Sequence, residues 1–161
     1  MNQPLPMRGA KAVGVMDELT GIEAASVIYL RLWFSGSREQ ARVRSDLFMA
    51  LGREQGDRAL RSFENLCELC VRHGRRPIMR HSVECRCLGS DESCFANFIA
   101  TAADGQREDA LLIATLLVRP DVAPLVASLA AEFGLALKRM RLGEKTTVSV
   151  PSHRPNNNTL H

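Results

Sequence analysis

The chain has 161 residues, 45% of them hydrophobic and 24% charged, which supplies apolar mass for one core and excludes wholesale disorder. Its longest apolar run, residues 110–118, falls far short of the roughly 20 residues a bilayer span needs, so no membrane helix is expected. Five cysteines, an odd number, exclude a complete disulfide framework, and a net charge of +3 excludes a polyanion binder that uses its whole surface.

Residues 1–19 read as a loose lead-in broken by Pro4, Pro6, Gly9 and Gly14. Arg8 and Lys11 are followed by no continuous apolar stretch, so no secretory leader is read. A cytoplasmic location is expected, with the cysteines reduced or metal-bound.

Thr20-Gly21-Ile22-Glu23 has the form of a capping box, in which the Thr hydroxyl and the Glu carboxylate satisfy orphan amides. The helix it opens runs to about Phe34, with Ile22, Ala25, Tyr29, Leu32 and Trp33 along one side. Ser37–Gln40 repeats the capping pattern and starts a second helix, carrying Leu47, Phe48 and Leu51 and stopped by Gly52. Asp57, after Gly56, caps a third, whose stripe is Leu60, Phe63, Leu66, Cys67, Cys70 and Val71 and whose stop is Gly74. Short Gly/Ser links predict that these three helices pack as roughly antiparallel neighbours.

From Met79 to Cys87 odd positions are mostly apolar and even positions polar, the period of a half-buried strand. Ser90, with Asp91 and Glu92 behind it, opens a fourth helix whose inner face is Phe95, Phe98, Ile99 and Ala102. Residues 106–118 are apolar nearly all round from Ala110, which suits a helix buried on several sides or lying at a subunit interface. Asp121 caps a last helix, with Pro124 in its first turn and an end at Phe133-Gly134.

Residues 135–142 and 146–150 read as short strands, and 151–161 as a disordered tail. A lone strand is unstable, so the strand near 78–87 is expected to pair with the C-terminal segment. The expected fold is therefore mainly α: about six helices in a compact bundle-like array with one short β-hairpin, all within a single domain spanning 20–150.

Charge is unevenly placed: residues 72–86 carry +4 and residues 138–145 carry +3, which leaves −4 for the rest. If the expected strands pair, Arg75, Arg76, Arg80, Arg86, Lys138, Arg139 and Arg141 form one basic edge for an anionic partner. The third helix also offers Arg58, Arg61 and Ser62 to a nucleic acid, in a loose helix-turn-helix with the second. The basic runs lack the aromatic residues that stack single-stranded bases.

Cys67, Cys70, His73, His81, Cys85, Cys87 and Cys94 crowd into a short stretch. Cys67 and Cys70 with Cys85 and Cys87 could supply the four ligands of a zinc site, although the spacing matches no standard ribbon or finger. Cys67 and Cys70 also continue an apolar stripe, where cysteine packs as a small hydrophobe. Cys85, Cys87 and Cys94 lie near cations or a helix start, which suits redox-active thiols. Cys87, His81 and Glu84 could be assembled as nucleophile, base and orienting acid, but no catalytic or cofactor-binding fingerprint surrounds them.

The expected function is thus a non-catalytic regulatory or adaptor protein that binds a macromolecule through a basic edge, with another protein or a second copy as partner. A zinc- or thiol-based sensor and a cysteine-nucleophile enzyme are the competing expectations.

Overall fold

Gly36, Gly52 and Gly105 adopt φ values of 137°, 81° and 76°, a backbone region that favours glycine, and each separates two helices. The computed structural model describes residues 8–19 and 21–148, with side chains as far as Arg141. Its helices are α1 (Gly21–Trp33), α2 (Ser37–Leu51), α3 (Arg53–His73), α4 (Ser90–Ala103), α5 (Arg107–Leu117) and α6 (Ala123–Val148). Strands β1 (Ala12–Val15) and β2 (Cys87–Gly89) pair antiparallel, with Ala12 opposite Gly89 and Val15 opposite Cys87. The mainly helical array with one short antiparallel strand pair is the one expected.

The identity of the paired strands is different. Residues 135–142 and 146–148, expected as parts of two strands, continue α6, residues 149–150 lie outside the described residues, and the partner of the strand before α4 is β1. The segment read as a loose lead-in therefore carries β1, flanked by single turns at Arg8–Ala10 and Met16–Glu18. Thr20 and the tail 151–161 lie outside the described residues.

Helix α6 runs on because Gly134 is no stop. A side-chain carbon there would sit 2.7 Å from Ala103 Cβ and 3.0 Å from Ile99 O, so its hydrogen lets α6 lie directly against α4. Gly56 does the same inside α3: a Cβ would meet Phe48 and the Leu47 carbonyl of α2 within 2.9 Å. Helix α3 accordingly starts at Arg53, a turn before Asp57, and Gly52 alone forms the link from α2.

Helix α6 is the spine, in contact with each of the other five. Phe133 on α6 stacks on Phe63 of α3 with ring centroids 4.5 Å apart, and Trp33 of α1 meets Phe63 edge-on at 5.5 Å. Burying Phe63 and Phe133, both 0% exposed, contributes roughly 2 kcal/mol or more for each ring. At the far end of α4, Lys138 Nζ donates to the Ala103 carbonyl (2.9 Å) and pairs with Asp104 (2.7 Å), a cation placed on a helix C-terminus.

Candidate functional site

The connection 74–86 between α3 and β2 has no regular secondary structure, yet it is tied down along its length. Connections this long without structure of their own are uncommon in compact domains and are usually functional. Its start is zipped to the end of α5: Arg75 N donates to Leu117 O (3.1 Å) and Arg75 Nε to Thr115 O (2.5 Å). Its middle is held by two carboxylates from the first turn of α4. Asp91 accepts both Nη groups of Arg76 (2.6 and 2.5 Å) and the Met79 amide (2.8 Å).

Glu92 lies deeper. Its Oε1 accepts from Arg31 Nε (2.7 Å) and the His81 amide (2.9 Å); its Oε2 accepts from Arg31 Nη2 (2.9 Å) and the Gly89 amide (2.9 Å). Arg31, in the last turn of α1, donates further to the carbonyls of Cys85 (2.7 Å) and Cys87 (2.7 Å). Arg31 is 2% exposed and Glu92 0%, so both charges are out of water. Four donors fill the acceptor sites of an ionised carboxylate, and no buried side-chain polar atom among the described residues lacks a partner. Burial pushes the Glu92 carboxyl up, but the bonds from Arg31, Gly89 and His81 outweigh it and hold the group below its ordinary value.

The period-2 pattern of the sequence is present here, without a strand ladder. Residues 79–86 alternate half-buried and exposed without a break. The amides of Met79 and His81, two residues apart on the inner side, are the donors a neighbouring strand would receive. They go to Asp91 and Glu92 instead, so two helix-start carboxylates stand in for a strand. Ser82 O and Cys85 N then close a turn (3.0 Å).

The residues singled out from the sequence are distributed as follows. Arg75, Arg80 and Arg86 are exposed along the connection 74–86, a strap across the start of α4, with the Arg80 guanidinium 4.2 Å from the centre of the Phe34 ring. Arg76 is engaged by Asp91. Lys138 is bound at the opposite end of α4, on the order of 18 Å away at 1.5 Å per helical residue. Arg139 lines a cleft with Ser62 and Glu132, and Arg141 lies beside Gly21. The strand pairing expected to join the two basic segments is not formed, because the C-terminal segment continues α6.

Helices α2 and α3 do pack as neighbours, with Arg58 and Arg61 exposed on α3. Ser62 is buried and donates to Glu132 Oε2 of α6 (2.7 Å), while Arg58, Arg61 and Arg72 pair with Glu54, Asp57 and Glu68 one turn earlier.

Cys67 and Cys70 are buried in α3, Cys85 and Cys94 are half-buried, and Cys87 is exposed in β2. Among the described residues no three of His, Cys, Asp and Glu converge as a metal would need, so the four-cysteine set is not assembled. Burial pushes the Cys67 thiol well above its ordinary value, with Cys70 adding to the shift, and takes Cys70 to about 12. Burial, reinforced by Asp91 and opposed by Arg76, also raises Cys94, the reverse of an activated thiol. His81 Nε2 lies 3.0 Å from Ala10 O, just before β1.

Arg31 and Glu92 were not singled out from the sequence. Each has an adequate local reason to be where it is, a cation in a last turn and an acid in a first turn, and nothing local joins two residues 61 positions apart. Comparisons with family models, with curated proteins and with solved structures found no match.

Proposed function

We propose that this chain is a non-catalytic binding protein whose recognition element is the strap 74–86, offering Arg75, Arg80 and Arg86 to an acidic segment of a partner protein. The observation that supports this most is the anchor beneath it. A buried ion pair is weak support for stability, since desolvation offsets most of the attraction. Here Arg31, Glu92 and Asp91 direct their hydrogen bonds to the backbone of an irregular connection and fix its course. Binding residues are commonly carried on loops positioned by a rigid scaffold. With Glu84 as the acid on the strap and Arg76 already paired, its outward charge is modest, which suits a protein segment better than a phosphate backbone.

Fluorescence anisotropy with a labelled polyglutamate peptide tests the reading. Wild type should bind with an affinity that falls as salt rises, and the Arg80→Ser, Arg86→Ser double variant, which leaves the Arg75 anchor in place, should bind at least tenfold more weakly with unchanged circular dichroism. Equal binding by the two proteins removes the strap as the recognition element. Tighter binding to duplex DNA than to the peptide would reassign its partner.

A further inference from the structure

Helix α5 leaves its outer side bare. Leu112 is 66% exposed and Leu116 67%, one turn apart, with Leu111 at 38% beside them. Asp109, Leu112 and Leu116 stand at i, i+3 and i+7, so they form a single stripe. The charges at the ends of the stripe are opposite. Glu108 and Asp109 outnumber Arg107 in the first turn, which makes that end net acidic, and all three are exposed. Arg119 follows the last turn, its side chain 57% exposed, and Arg75 is held against the same end through its bond to Thr115 O.

An acidic end, a leucine middle and a basic end are self-complementary about a two-fold axis. Laid antiparallel on its own copy, α5 can pair Leu112 with Leu116 of the second chain and Asp109 with Arg119 of the second chain in one register, since both pairs centre on Ala114. An isologous contact supplies every such pair twice. Arg119 Nη2 already lies 2.9 Å from His73 Nδ1 and 3.5 Å from Asp121 Oδ2, which presents its guanidinium without burying it.

We infer that α5 is a homodimer interface: two copies associate antiparallel through the Leu112–Leu116 stripe, with Asp109–Arg119 pairs closing both ends. The occupant is a second copy and not an unlike partner, because the complementary charge pattern is already on the same helix.

Sedimentation velocity on the full chain across the micromolar range tests this. The species should move from 17.8 kDa towards twice that mass as concentration rises. The Leu112→Glu, Leu116→Glu variant should remain monomeric with unchanged circular dichroism. Asp109→Arg and Arg119→Glu should each weaken association about tenfold or more. An equimolar mixture of those two variants should recover it, since each end of the mixed pair again joins opposite charges. Because the mixture compares the variants with themselves, it also separates a lost interface from a damaged fold. A chain that stays monomeric throughout, or a dimer indifferent to all these substitutions, overturns the inference.

Discussion

Arg31 and Glu92 show how two charges can be buried together and still leave no polar group unsatisfied. The pair is held by its geometry, and its disruption is accordingly asymmetric. Glu92→Gln keeps the shape but removes the counter-charge of Arg31 and turns an amide donor towards the His81 or Gly89 amide. We expect a loss of about 3 kcal/mol in urea unfolding at neutral pH. The loss should depend on pH in a defined direction. The folded carboxyl lies below its ordinary value of 4.5, so the native state binds fewer protons than the unfolded chain there. Its stabilisation is complete above that value and disappears as pH falls through the folded one. The gap between wild type and Glu92→Gln should therefore narrow on acidification below about pH 4.5. A gap that stays constant to about pH 3 would mean that the carboxylate charge does not hold the anchor.

At the scale of elements, glycine carries two opposite meanings that the sequence does not distinguish. Gly36, Gly52 and Gly105 end helices in backbone regions that favour glycine, as their place after apolar stripes suggests. Gly56 and Gly134 sit inside helices and serve helix-to-helix contact, which depends on partners distant in the chain. Gly134→Leu should consequently destabilise the domain by about 2 kcal/mol or more in thermal or urea unfolding, although leucine is the better helix former. An unchanged or raised stability would show that α4 and α6 have room between them. Most helix starts and the period-2 pattern at 79–86 were legible, because caps and alternation are local. The strand partner was not: residues 79–86 have no ladder because their inner amides go to side chains of α4, and the short ladder of β2 is made with β1, in a segment that reads as a loose lead-in. The four-cysteine grouping likewise looked dense in sequence, but α3 buries two of the thiols while the strap and β2 carry the other two.

Over the whole molecule, α6 organises the helices and α4 divides the polar chemistry between its ends. Its first turn holds the strap through Asp91 and Glu92, and its last turn holds Lys138. The strap that carries Arg75, Arg80 and Arg86 is thereby fixed at one end of α4, and Lys138 is bound at the other. The exposed leucines of α5 lie on another element, and Arg75, bonded to Thr115 O, is the residue common to the strap and the basic end of the α5 stripe. Binding through the strap and association through α5 both depend on the strap being a fixed part of the fold, since its start also closes the end of α5. Amide hydrogen exchange of wild type against Glu92→Gln measures this most directly. The Met79, His81 and Gly89 amides should be protected in wild type well beyond an open loop, and His81 and Gly89 should lose that protection selectively in the variant while the core of α6 keeps its own. Exchange of the wild-type strap amides at the rate of an unstructured chain would contradict the account.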